Sequence, residues 1–247
     1  MDPAQALWGS ALWGSALWGS ALWGSALLVL GIVLQCEALR AVSGKGLRDG
    51  LPKELLREVI CTFQLCCCVR EQALLGWEGA LTPRLGLTLT FLLSLLHGLT
   101  ARAVCNPSGS LERYLRGEEA APQSCLRLCA QFLGAWLSRL AMPCYWLLGL
   151  SPLHGPQASH CPRSPLQVAL LPGAGVELLC SLGMFCLLRH LPRLPPPFRV
   201  QTAALAITGL VWLGMLLSVL LCDTSVPILG RKTQKENIPA GSPKKTN

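Results

Sequence analysis

Charge is what this sequence has least of. Only 14% of its 247 residues are Asp, Glu, Lys or Arg, against 51% hydrophobic residues, and mean hydropathy is +0.45. Soluble domains are nearer a quarter charged, so an all-α, polytopic membrane protein is favoured over a soluble globular fold. No Asn-X-Ser/Thr glycosylation acceptor is present, since neither Asn106 nor Asn237 fits the pattern. No nucleophile–base pair and no phosphate-binding glycine loop stands out, so the chain reads as a non-enzyme with no cofactor. The first apolar run lacks a basic leader and is too long for a signal peptide. The net charge of +8 does not point to nucleic acid, because the basic residues sit between apolar runs and in the tail. The expected partner is the lipid bilayer.

Cysteine, by contrast, is plentiful, with thirteen in the chain. A disulfide framework is not the reading, because most lie inside apolar runs. Cys61, Cys66, Cys67, Cys68, Cys180 and Cys186 read as small apolar residues, buried or facing lipid.

Ala6 to Ser25 repeats Ala-Leu-Trp-Gly-Ser four times. Five residues at ~100° each leave a rotation of about 140°, so the tryptophans spiral round a helix and form no stripe. The repeat reads as low-complexity sequence constrained only in hydrophobicity. With Leu27 to Leu34 it makes an uncharged run long enough to span. Further apolar helices are expected at about Glu54–Leu75, Leu85–His97, Cys125–Leu150 and Val168–Leu188, with a last run at Val200–Cys222. From Asp223 the chain reads as a disordered basic tail.

The stretch from Leu85 to Ser110 organises the rest. An apolar helix is predicted to stop at His97-Gly98, and a short polar turn leads into Asn106-Pro107-Ser108. Asn at a cap and Pro at the first helical position begin a new helix. Inside a bilayer, irregular backbone is tolerated only where protein buries it or a wet cavity faces it. A re-entrant half-helix with Asn106 on a polar pathway is therefore expected.

Glu58-Val-Ile-Cys-Thr can be laid on Glu177-Leu-Leu-Cys-Ser, and Thr90 and Thr208 follow their glutamates at 32 and 31 residues. Internal similarity of this kind marks a repeat-built transporter or channel. Each intramembrane carboxylate needs a partner and is expected to hold unwound backbone; two unrelated acidic residues near helix ends are the plainer alternative. The match fails further on. Asn106 lies 48 residues after Glu58, and the same offset from Glu177 reaches Ser225, with no Asn-Pro box. Val200–Leu210 reads as the start of one helix and Trp212–Cys222 as the end of another, with the intervening piece absent.

The residues Thr62-Phe-Gln-Leu-Cys-Cys-Cys68, Ser94-Leu-Leu-His-Gly-Leu-Thr100 and Asn106-Pro-Ser108 resemble the aquaporin (MIP) family, in its divergent superaquaporin branch. Cys36-Glu37-Ala38 and the helix of Glu177 add to the likeness, which covers about Gln35–Thr208 and Trp212–Cys222. The resemblance implies a bundle of six spanning helices and two half-helices that meet at the midplane. It implies asparagine amides that donate hydrogen bonds to passing water, half-helix dipoles that repel cations and protons, and tetrameric assembly. Here Ser108 takes the third place of the first box, and the second box is missing. The resulting division is 1–34 for the repeat and first helix, 35–150 for a first aquaporin-like repeat, 151–222 for a truncated second repeat and 223–247 for the tail.

Topology adds a tension. With Leu39–Lys53 cytosolic, one side holds Arg40, Lys45, Arg48, Lys53, Arg102, Arg113, Arg116, Arg127, Arg189, Arg193 and Arg199, and the other Arg70, Arg84 and Arg163, which is 11 against 3. A single span at Val200–Cys222 then puts the basic tail on the far side. Lys244 and Lys245 near the terminus look like a dilysine retrieval signal, which is read only from the cytosol, or an ordinary basic tail.

Candidate pore residues are Asn106, Pro107 and Ser108, with Cys105 beside them and His97 either lining the pore or buried as a core histidine. Glu58 and Glu177 are the structural carboxylates. His154, His160 and Cys161 share a loop without metal-ligand spacing, so no metal is expected. The functional readings are three. The first is a channel for water or small neutral solutes such as glycerol or hydrogen peroxide, in the endoplasmic reticulum or another intracellular membrane, as a homo-tetramer or mixed tetramer. The second is a non-conducting form that assembles with intact subunits, and the third an unrelated polytopic scaffold.

Overall fold

The computed structural model describes residues 3–77, 81–101, 103–157 and 168–225. Among them the chain forms α1 (Pro3–Gly46), α2 (Leu51–Trp77), α3 (Pro83–Thr100), α4 (Pro107–Leu115), α5 (Ala121–Trp146), α6 (His154–Gln157), α7 (Leu170–His190), a 3-10 turn (Leu191–Arg193) and α8 (Pro196–Ser225). The all-α class is as expected. Among the described residues four helices are long and apolar enough to cross a membrane: Gly19–Gly46, Leu51–Gly76, Leu170–Arg193 and Pro196–Leu217. α3 has 18 residues and includes Arg84 and His97. α5 buries Ser124, Arg127, Gln131 and Ser138, while Arg139 of the same helix is exposed.

The repeat is helical throughout, because Ala and Leu favour helix and nothing in the run is charged or Pro. At 44 residues α1 is about 66 Å long, twice a bilayer core of about 30 Å. Its inward stripe is Leu28, Ile32 and Cys36, spaced at i and i+4; all three are buried with Ile60, Cys67 and Leu74 of α2 and Met142 and Trp146 of α5. Trp23 is 75% exposed, as the five-residue period demands for a residue off that stripe.

α2 is the central helix. It packs mainly on α5, with α1 on its flank, while α3 lies on α8 and α8 on α7. Gly134 lets α5 approach α2: a Cβ there would stand 2.5 Å from the Val59 carbonyl oxygen. α4 sits between α5 and α7.

Several boundaries differ from the sequence expectation. α3 does not stop at His97-Gly98. It runs two residues further to Thr100, whose hydroxyl donates to the Leu96 carbonyl at 2.9 Å, while the Ala101 N–H bonds to His97 O. Val200–Leu210 and Trp212–Cys222 are not two helix ends, because they join without a break in α8. Both parts are apolar and neither supplies a proline to interrupt the ladder. Arg40 and Arg127, counted above among loop cations, are side chains of α1 and α5, 8% and 6% exposed, and belong to polar networks.

The close approach at Gly134 gives a test. Gly134→Val should force α2 from α5 at about 1–3 kcal/mol, read as a lower Tm in detergent. Gly44→Ala, with open space around it, should leave Tm unchanged.

Candidate functional site

Between α3 and α4 the chain is unwound, and Cys105 takes φ 54°, in the left-handed region. For a residue with a Cβ this costs about 1–2 kcal/mol. The backbone polar groups here have no helix to satisfy them. Glu58, fully buried in α2, supplies the acceptors: the Val104 N–H donates to Oε1 at 3.0 Å and the Cys105 N–H to Oε2 at 2.9 Å.

A buried carboxylate needs a counter-charge and further donors. Arg127 Nη1 of α5 donates to Glu58 Oε1 at 2.7 Å. One turn along, Gln131 Nε2 donates to Glu58 Oε2 at 3.1 Å and to Ser110 Oγ of α4 at 2.9 Å. Arg127 also reaches Glu119 Oε1 through Nη2 at 2.8 Å and Glu54 Oε2 at 3.1 Å, and Ser124 Oγ donates to Glu119. Burial pushes the Glu119 carboxyl up, but the Arg127 bond and charge outweigh it and hold the group below its ordinary 4.5. A cavity of about 310 Å³ opens against this network, lined by Glu54, Arg57, Glu58, Ala103, Val104, Arg113 and Arg127.

α4 begins at Pro107 with Asn106 as its cap, φ −138° and ψ 122°. Asn106 Oδ1 accepts the Ser108 N–H at 3.0 Å, and its backbone oxygen accepts from Gly109 and Ser110. The cap fixes the amide orientation, because only the oxygen can accept an N–H. Nδ2 is left as a donor with no protein partner among the described residues. Ser108 is half-buried, Pro107 exposed and Cys105 buried. The helix continues through Glu112, which pairs with Arg116 at 2.6 Å, and ends at Leu115.

His97 lies in the last turns of α3 with a buried Nδ1 that lacks a protein partner among the described residues. Glu177 does not repeat the arrangement of Glu58. It is exposed on α7 and, among the described residues, meets no hydrogen-bond donor, because α8 runs unbroken and offers no unwound backbone to bind. A trace of the repeat persists nonetheless. The Cys61 thiol donates to the Ala101 carbonyl at 2.7 Å, where the first half unwinds, and the Cys180 thiol to Leu210 at 3.6 Å. Thr90 and Thr208 are both buried and both donate to the carbonyl four residues back. Lys244 and Lys245, like Arg102, His160 and Cys161, lie outside the described residues.

A second buried carboxylate went unread in the sequence. Glu71, about 20 Å along α2 from Glu58, accepts from Trp146 Nε1 at 2.8 Å and lies 2.8 Å from His154 Nε2. The Ser151 N–H donates to His154 Nδ1 at 3.3 Å, so Nε2 carries the hydrogen given to Glu71. A signal existed for one cluster: Arg127 and Gln131 stand at i and i+4 and share one helix face, as an intramembrane glutamate requires. Nothing local marked Glu71 with His154, which are 83 residues apart.

These features define an integral, multi-pass helical membrane protein with a capped half-helix tied to a buried carboxylate. The chain is 32% identical over 188 residues to Aquaporin-11 of Homo sapiens, covering 76% of this chain and 69% of that protein. It is 33% identical to Aquaporin-11 of Equus caballus over 189 residues, 76% and 70% of the two chains. To Aquaporin-12 of Mus musculus it is 35% identical over 181 residues, 70% of this chain and 62% of that protein. No protein-family model matches the chain, and no solved structure matches it. The chain belongs to the aquaporin family, in the superaquaporin branch. The reading as an unrelated scaffold falls with that.

Glu58→Gln should remove the anion that Arg127, Gln131 and the Val104 and Cys105 N–H groups converge on and lower stability by about 3–5 kcal/mol, read as Tm in detergent. Because the folded Glu119 group titrates below 4.5, its contribution is present above that pH and fades as pH falls through the lowered value. Glu119→Gln should flatten the acid limb of the Tm–pH profile.

Proposed function

We propose that the chain is an aquaporin-type channel subunit for water or small neutral solutes, such as glycerol or hydrogen peroxide. The observation that carries this is the Asn106 amide: its oxygen is spent on the helix cap, and its nitrogen is held as a free donor at a half-helix N-terminus. A fixed donor at the positive end of a helix dipole favours a lone-pair ligand such as water and disfavours a cation. Pro107 and Ser108 shape that start, and Cys105 and His97 are the neighbours that would border the path. Glu58 holds the site in place from behind.

A second reading is favoured by α8. Its continuity through Leu210–Trp212 leaves, among the described residues, no second half-helix to oppose α4. On this reading the chain does not conduct alone and joins mixed tetramers with intact subunits. Residues 35–150 would then form one whole repeat and 151–222 a shortened one. The location proposed is an intracellular membrane, with Lys244 and Lys245 as a retrieval signal; protease protection of a tag after Asn247 reads the side of the tail.

Stopped-flow swelling of proteoliposomes separates the two readings. The channel reading expects swelling faster than empty vesicles. Asn106→Asp should abolish the excess with Tm preserved, because Asp caps a helix as well as Asn does but offers no amide donor and adds charge. Swelling at the empty-vesicle rate for the wild-type chain overturns conduction by the chain alone. Co-purification with a full-length relative then supports the mixed assembly.

A further inference from the structure

Two cysteines meet behind the site. Cys61 of α2 and Cys105 of the unwound segment are both buried, 0% and 6% exposed, and form a cluster with Ala101. Neither is free to drift. The Cys61 thiol donates to the Ala101 carbonyl, and the Cys105 N–H is held by Glu58 one turn before Cys61 on α2.

Cys61 also has a cation beside it. Arg40 Nη1 of α1 donates to its sulfur at 3.3 Å, while Nη2 of the same guanidinium donates to Gln64 Oε1 at 2.6 Å and Glu37 Oε1 at 2.7 Å. Among the described residues no other thiol accepts a hydrogen bond from a guanidinium. An adjacent cation stabilises the sulfur anion, which is the attacking form. The 310 Å³ cavity reaches Glu58, Ala103 and Val104, and Ala103 packs on the cysteine cluster. A small neutral oxidant therefore has a place to stand beside Val104, the residue before Cys105.

We infer that Cys61 and Cys105 are a redox modification site that closes to a disulfide under hydrogen peroxide. Cys61 attacks one peroxide oxygen, the O–O bond breaks, and Cys61 sulfenic acid and water form. Cys105 then attacks the sulfenic sulfur, the S–O bond breaks, and the disulfide and a second water form. Two thiols are oxidised by two electrons in all, and one peroxide is reduced to two waters. The link ties the segment before Asn106 directly to α2, so the oxidation state of the pair sets the freedom of the half-helix cap. The site does not depend on conduction, because the link is read chemically.

The test uses the full chain purified in detergent under reducing conditions, then exposed to hydrogen peroxide, with remaining thiols alkylated before tryptic digestion. Cleavage after Arg57, Arg70, Arg102 and Arg113 should yield Glu58–Arg70 joined to Ala103–Arg113. The joined mass is two hydrogens below the sum, and dithiothreitol reverses it. Fragment ions must place the link on Cys61, not on Cys66, Cys67 or Cys68 of the same peptide. That assignment is made on the wild-type chain and needs no variant to fold. Arg40→Gln should slow link formation roughly tenfold, and Arg40→Lys should restore most of the rate. A link to one of the other three cysteines, alkylation of both thiols after peroxide, or a rate indifferent to Arg40→Gln overturns the inference.

Discussion

One carboxylate decides where this chain can break. Two backbone N–H groups, of Val104 and Cys105, are exposed by the unwinding after α3, in a chain whose surroundings are lipid and protein. Each would cost several kcal/mol unpaired in hydrocarbon. Glu58 takes both at once, one on each oxygen. The same buried anion requires Arg127 and Gln131, so α5 must lie against α2 at that height. Gly134 makes the approach sterically possible. The start of α4, and with it the direction of the Asn106 amide, follows from where Glu58 holds the preceding residues.

The α2–α5 pair is fastened at its other end by Glu71, which takes the Trp146 indole and lies against His154. Between the two carboxylates lies the apolar core of Ile60, Cys67, Leu74, Met142 and Trp146 with the α1 stripe. Half of the spanning window of α2 is buried, against 11% of α7 and 17% of α8. The more deeply packed part of the molecule is therefore its first half. The second half is a thinner layer that presents most of its apolar surface outward, with exposed leucines on α7 and α8 such as Leu178, Leu182 and Leu205.

That asymmetry follows from the sequence. The two halves share cysteine and threonine positions, and these make matching hydrogen bonds: Cys61 with Cys180, Thr90 with Thr208. They differ at the glutamates. Glu58 has unwound backbone to satisfy and is buried; Glu177 has none and stays exposed. A carboxylate is held inside such a bundle only where donors converge on it. The aquaporin likeness of residue types therefore does not extend to equal environments.

The sequence by itself determined the helical class, the membrane setting and the capped start at Asn106-Pro107, since scarcity of charge, apolar run length and cap chemistry are local properties. It also marked Glu58 as a carboxylate in need of partners. Only the tertiary structure decided who those partners are. Arg127 looked like a loop cation and is a buried counter-ion; His154 looked like one member of a loose loop cluster and lies against Glu71; Glu177 looked like a second Glu58 and is not. Val200–Leu210 and Trp212–Cys222 looked like separate ends, and helix propensity carried them through as one. The physical reason is the same in each case: a helix is specified by neighbours a few residues away, whereas the solvation of a buried charge depends on groups brought from 69 and 83 residues along the chain.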